Sequence, residues 1–215
     1  MNRNSVGSIR KEYKLLELDE SSVNDNPIIQ FEEWFKEAVK REGDEANAAT
    51  LSTIGLDGHP EGRIVLLKFY SGDGFTFYTN YNSNKGQELE RHPFASMTFY
   101  WRTLERQVRV RGEIAKVDPV ISDEYFNSRP KTSRIGAWSS PQSQVIESRT
   151  IIEQNELKYA ELYKDQENIP RPEHWGGFII QPQKIEFWQG RPSRLHDRIV
   201  YQNVDKKWVI NRLAP

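Results

Sequence analysis

Residues 106–117 read RQVRVRGEIAKV, and their alternation decides how the rest of the chain is read. Val108, Val110 and Ile114 fall on one side of a period-two pattern, while Gln107, Arg109, Arg111 and Glu113 fall on the other. A β-strand with one face in a core and one face wet or binding has that pattern. The runs before it repeat the theme. AATLSTIG (48–55), RIVLLKFY (63–70), FTFYTN (75–80) and FASMTFYW (94–101) are short and rich in β-branched and aromatic residues, and turn signals such as LDGHPEG and SGDG part them. They predict an antiparallel meander. Strand patterns return in GGFIIQPQKIEFWQG (176–190), LHDRIVYQN (195–203) and KKWVINRLAP (206–215).

Helical spacing appears between these runs. In PIIQFEEWFKEAVKRE (27–42), Ile28, Phe31, Phe35 and Val39 recur on one face, with Pro27 suited to a first turn. YNSNKGQELERHP (81–93) predicts a short helix, and PVISDEYFNSRP (119–130) and ESRTIIEQNELKYAELYKDQ (147–166) make the middle of the chain helical. Strands at short spacing without a βαβ rhythm argue for a mainly β fold with flanking helices (α+β), an antiparallel barrel with helices packed outside it. A chain of 215 residues fits one such domain. Residues 1–25 are polar and read as a mobile segment, and residues 26–215 read as the single domain.

Composition narrows the chemistry. Thirty basic against 31 acidic side chains leave a net charge of −1, so nothing global draws the protein to nucleic acid or an anionic membrane. The absence of cysteine removes disulfides, thiolate nucleophiles and cysteine metal sites, and suits a cytoplasmic protein. The four histidines, 59, 92, 174 and 196, form no HxH or HExxH pair, which predicts no metal. The sequence also lacks GxSxG, GxGxxG and GxxxxGK[ST], so the usual hydrolase, dinucleotide and triphosphate signatures are missing.

What remains is cationic and hydroxyl chemistry at strand ends and turns. Arg63 and Lys68 bracket RIVLLK, on opposite faces of an ideal strand. Tyr78, Thr79, Asn84 and Lys85 lead into a helix start, where outward-pointing N–H groups suit a phosphate. Tyr125, Arg129 and Ser133 lie four apart, on one helix face only if the helix survives Pro130. In RPSRLHDR (191–198), strand geometry would place Arg194, His196 and Arg198 together, with Leu195 and Asp197 opposite. A solvated, salt-bridged surface accounts for several of these groups equally well. Taken together, they suit a planar, aromatic, phosphorylated ligand, with Trp188 a candidate stacking partner.

RIVLLK, FYTN, TLERQVRV, YFNSRP, IGAWSSPQS, WGGF, IEFWQG, RLHDR and the terminal NRLAP stand in an order that resembles the pyridoxine (pyridoxamine) 5'-phosphate oxidase family, from about Arg10 to Pro215. The resemblance implies a homodimeric FMN-binding split β-barrel with sites at the subunit interface. It implies that FMN is held by Arg63, Ile64, Val65, Leu66, Leu67, Lys68, Tyr78, Thr79, Asn84, Lys85, Gln107, Gln142, Ser143, Trp188 and Arg198. The substrate phosphate falls to Lys68, Tyr125, Arg129 and Ser133, and Arg194, Leu195 and His196 meet the pyridine ring, with Arg194 and His196 in the catalytic roles. Arg10, Lys11, Glu12 and Tyr13 resemble the segment that closes over substrate. Where the family often reads SRK, this chain reads SNK, which puts a neutral Asn84 where a charge-assisted bond worth roughly 1.5–3 kcal/mol would stand. The expected reaction is oxidation of pyridoxamine or pyridoxine 5'-phosphate to the aldehyde, with dioxygen as acceptor. Related flavin oxidases of phenazine precursors, a non-catalytic carrier of flavin or pyridoxal phosphate, and a single-strand-binding barrel share parts of the pattern. The neutral charge argues against the last.

Overall fold

The computed structural model describes residues 7, 8 and 11–215. Nine strands form one sheet: β1 (Ala48–Ile54), β2 (Pro60–Leu66), β3 (Phe69–Ser71), β4 (Gly74–Asn80), β5 (Phe94–Trp101), β6 (Arg106–Lys116), β7 (Trp175–Gln189), β8 (Asp197–Val204) and β9 (Lys207–Arg212). The path is β2-β1-β5-β6-β7-β4-β3, with β8 paired to β7 and β9 to β8. Beside it lie the helices α1 (Pro27–Glu42), α2 (Asn84–Arg91), α3 (Pro119–Ser128), α4 (Lys131–Ser139) and α5 (Thr150–Leu162). None of these is long and apolar enough to cross a membrane.

The chain divides into two compact units. The first holds the described residues up to Thr50 together with Met97–Arg111 and Pro182–Pro215. Its core is aromatic. Phe31 of α1 lies 5.3 Å from Phe99 and 6.1 Å from Trp101, ring centre to ring centre, and Trp34 meets Phe187 edge-on at 5.2 Å. The buried face of α1 is therefore Pro27, Gln30, Phe31, Trp34 and Ala38. The expected face is rotated: Val39 is exposed, because the larger Trp34 side chain takes the core. Arg106 caps that packing, stacked 4.2 Å over Trp34 and bonded to Glu37 at 2.6 Å and Gln189 at 2.9 Å. Alternation in β6 is as read: Val108 and Val110 are fully buried, and Arg109 and Arg111 are exposed.

Residues 11–20 run along this unit and are tied to it. Leu18 is buried, its N–H reaches Asp197 at 3.1 Å, and Arg212 of β9 donates to Leu18 O at 3.0 Å and to Glu20 at 2.6 and 2.7 Å. Two left-handed residues, Asp205 and Lys206, turn β8 into β9.

The second unit holds Leu51–Ser96 and Gly112–Gln181. The run RIVLLKFY is not one strand. It breaks at Leu67 and Lys68, where the Lys68 N–H bonds to Thr76 O at 2.9 Å, so β2 stops and β3 starts a separate hairpin with β4. The expected meander is correspondingly interrupted, with β2 and β3 at the two ends of the path. Helix α4 was not anticipated: Pro130 ends α3 and, having no N–H to satisfy, serves as the N-cap of α4. A cluster of Phe126, Ile135, Tyr163, Ile169 and Trp175 fixes α3, α4 and the start of β7. Gly176 is obligatory there, since a Cβ would fall 2.1 Å from the Tyr81 hydroxyl.

Truncating Phe31 to alanine should destabilise the protein by about 3–5 kcal/mol, read as a fall in the denaturant midpoint with an unchanged slope. A loss under 1 kcal/mol would mean that α1 does not nucleate this core.

Candidate active site

The first cavity, of about 650 Å³, lies in the second unit and falls within the roughly 300–1,000 Å³ typical of ligand sites. Ile64, Val65 and Leu66 from β2, Lys68, Tyr78 and Thr79 from β4, and Lys85 from α2 line it, with Tyr125, Arg129, Ser133, Gln142 and Trp175. Two groups make up the polar wall. In one, the Lys85 ammonium donates to Thr79 Oγ1 at 3.2 Å and Ser83 Oγ at 3.3 Å, and Thr79 reaches Gln142 at 3.4 Å. Burial, and then the nearby Arg63, push the Lys85 pKa down.

In the other, Tyr78 stacks on Tyr125 at 4.0 Å and on Trp175 at 5.4 Å, and the Arg129 guanidinium lies 4.7 Å over the Trp175 ring. Arg129 Nη1 is buried without a hydrogen-bond partner. Burial lowers the Arg129 pKa, and the neighbouring Tyr125 opposes that shift. The guanidinium stays charged at neutral pH. A charged group with a buried, unpartnered donor is costly, and an anion would satisfy it. Helix α3 ends at Ser128, so Tyr125, Arg129 and Ser133 do not share one helix face, yet all three reach the cavity because α4 restarts at once.

Several expected ligand residues stand elsewhere. Arg63 turns from this wall to Glu88, at 2.9 Å, and to Thr53 Oγ1. Asn84, exposed at the first position of α2, is not on the wall, and neither are Leu67, which is buried, and Ser143, which is exposed with φ of 70°. Gln107 of β6 is half-buried. In the first unit, Arg198 pairs with Glu186 at 2.9 Å and donates to Ala214 O at 2.9 Å, and Trp188 packs on His196 at 4.6 Å.

A second cavity, of about 740 Å³, lies in the first unit, with Lys11, Glu12 and Tyr13 on one side and Arg191, Ser193, Arg194 and His196 on the other. The stretch RPSRLHDR does not enter β8 as a strand until Asp197. Pro192–Arg194 is a short helical turn in which Ser193 and Arg194 have positive φ, so Arg194 and His196 converge on the cavity through the turn rather than through strand alternation. Leu195 is exposed, and Arg10 lies outside the described residues. The Arg191 N–H donates to His196 Nδ1 at 3.0 Å. Burial first, and then Arg194, hold the imidazole below its ordinary pKa of 6.5 despite Asp197, so the ring is neutral with its proton on Nε2.

Unforeseen lining residues include Trp175 of the first cavity and Arg191 and Ser193 of the second. Trp175 was legible as the aromatic beside the Gly176-Gly177 pair, and Arg191 and Ser193 belong to the same RPSRLHDR stretch as Arg194 and His196.

The profile of the pyridoxamine 5'-phosphate oxidase family matches residues 35–162, and that of the pyridoxine 5'-phosphate oxidase C-terminal dimerisation region matches residues 175–215. The chain belongs to this oxidase family. It is 51% identical to the pyridoxine/pyridoxamine 5'-phosphate oxidase of Synechocystis sp. over 98% of both chains. It is 53% identical to that of Paraburkholderia xenovorans over 98% of this chain and 99% of the other. Among solved structures, PhzG from Burkholderia lata, in complex with tetrahydrophenazine-1-carboxylic acid, superposes with a TM-score of 0.87 at 24% identity, covering 95% of this chain and all of the other. A pyridoxamine 5'-phosphate oxidase-related FMN-binding protein from Nostoc punctiforme superposes at 0.68 and 17% identity, covering 86% and 97%. The oxidase family and these neighbours share the split-barrel fold that the resemblance implies, consistent with the antiparallel barrel expected from the strand pattern.

Two outcomes test this geometry. Replacing Arg129 with leucine relieves an uncompensated buried charge, so the variant should be at least as stable as the parent, while inorganic phosphate should raise the Tm of the FMN-loaded parent and not of the variant. Equal phosphate shifts would remove Arg129 from the anion site. Because the His196 pKa is depressed on folding, its contribution is present above pH 6.5 and is lost as pH falls. The Tm advantage of the parent over His196→Asn should therefore shrink between about pH 7 and pH 5. A constant gap would contradict the neutral ring.

Proposed function

We propose that the protein converts pyridoxamine 5'-phosphate and pyridoxine 5'-phosphate to pyridoxal 5'-phosphate as an FMN-dependent homodimer, with FMN at the subunit interface. The observation that carries the substrate assignment is Arg129: a half-buried guanidinium over Trp175 whose buried Nη1 has no hydrogen-bond partner, beside Lys68, Tyr125 and Ser133 in one cavity. Those side chains offer two cations and two hydroxyls, the donor set a phosphomonoester takes.

The cavity fits FMN by its own chemistry. Lys85 and Thr79 supply a second anion-binding group, apart from that of Arg129, and Ile64, Val65 and Leu66 supply an apolar wall for a flat ring. Arg63, Leu67, Asn84, Gln107, Ser143, Trp188 and Arg198 complete the family's FMN set; Arg63 then acts through Glu88 and the β2 backbone rather than from the wall. With Asn84 neutral, Lys85 is the principal cation for the flavin phosphate. When bound, FMN would supply the two-electron redox chemistry for oxidation of the substrate to the aldehyde, with dioxygen reduced to hydrogen peroxide.

The remaining work is positioning. Arg129 and Lys68 fix the substrate phosphate and thereby the ring. Arg194 steers charge developing near C4', and neutral His196 offers Nε2–H to a ring substituent. Lys11, Glu12 and Tyr13 cover the substrate and limit water to what the release of ammonia from the amine requires. The lack of cysteine supports a cytoplasmic setting.

Incubated in air with pyridoxamine 5'-phosphate, the FMN-loaded protein should form aldehyde and hydrogen peroxide in equal amounts. Arg194→Ala should lower turnover roughly a hundredfold with FMN still bound. Bound flavin without either product would leave a carrier or an oxidase of another substrate.

A further inference from the structure

Glu105 is a buried carboxylate that the proposed reaction does not use. It sits between a short helical turn (Arg102–Leu104) and β6, with φ of 53°, a left-handed backbone that is unfavourable for a residue with a side chain. Its carboxylate meets Lys11 Nζ at 3.0 Å and accepts the backbone N–H groups of Lys14 at 2.8 Å and Leu15 at 3.3 Å. Burial pushes its pKa up, but Lys11 and the two amides outweigh burial and leave it below the usual value. All three contacts flank Tyr13.

Tyr13 itself occupies a fitted slot. It lies over Gly190, where a Cβ would fall 2.7 Å from its ring, and stands edge-on to Trp188 at 5.7 Å and to His196 at 5.8 Å. Its hydroxyl is 3.2 Å from that of Tyr100, whose pKa burial and this contact push up to about 12. The Gly190 N–H bonds to Glu105 O at 2.8 Å, so one residue joins the floor of the slot to the segment above it.

We propose that Glu105 is a positioning residue for the reaction: it holds residues 11–15 so that Tyr13 stands against His196 and the cavity bearing Arg194 is covered. This rests on the function proposed above. Glu105 touches neither substrate nor flavin, so its loss acts on substrate capture and not on cofactor binding. The charge is needed because one carboxylate must satisfy an ammonium and two amides together, which a neutral amide cannot do.

Two variants test it by different routes. Glu105→Gln removes the charge at constant size, and Gly190→Ala leaves Glu105 intact and evicts Tyr13 sterically. In FMN-loaded protein, both should raise the KM for pyridoxamine 5'-phosphate about tenfold or more, with kcat changed less than about twofold and FMN affinity and Tm kept. Trypsin should cut after Lys11 and Lys14 about tenfold faster in both. If Glu105→Gln folds poorly, Gly190→Ala carries the test. Unchanged KM with parental cleavage rates in a folded variant overturns the proposal. Should the parent fail to turn over the substrate, the proposed function falls, and the cleavage rates still decide whether Glu105 holds the segment.

Discussion

A guanidinium nitrogen removed from water must find an anion or a ring, and the buried Nη1 of the half-buried Arg129 has no hydrogen-bond partner, the guanidinium lying over the rings of Trp175 and Phe126. Its placement over Trp175 depends on the aromatic stack of Tyr78, Tyr125 and Trp175, on the cluster that locks α3 and α4, and on the paired glycines that let β7 pass close beneath Tyr81. Leaving the buried Arg129 Nη1 without a partner costs free energy. On the proposed function, a substrate phosphate held there would offset that cost.

Much of this was legible from the sequence, for identifiable reasons. Strand β6 could be read because Val108 and Val110 obey a strict period of two with both faces of opposite character. Helix α1 was readable as a helix but not by its face, since the apolar spacing picked Val39 and passed over Trp34, which packs edge-on against Phe187 in the core. Tyr125, Arg129 and Ser133 were grouped by a helical spacing that Pro130 forbids. They still converge, because an interrupted helix that restarts immediately carries its side chains to the same wall.

What could not be read was set by partners distant in sequence. Nothing near Arg63 announces Glu88, and nothing in TLERQV announces that Glu105 reaches back to Lys11 and Lys14. The turn at Ser193 and Arg194 uses positive φ without glycine, so strand alternation was assigned to a segment that only becomes a strand at Asp197. Arg194 and His196 do line one cavity, but the turn that brings them there was not legible.

The most direct test is a crystal structure of the dimer with FMN and pyridoxal 5'-phosphate. The phosphate of the vitamer should accept a hydrogen bond from Arg129 Nη1, with Lys68, Tyr125 and Ser133 around it. A vitamer phosphate bound elsewhere, with Arg129 still facing Trp175 alone, would contradict the account.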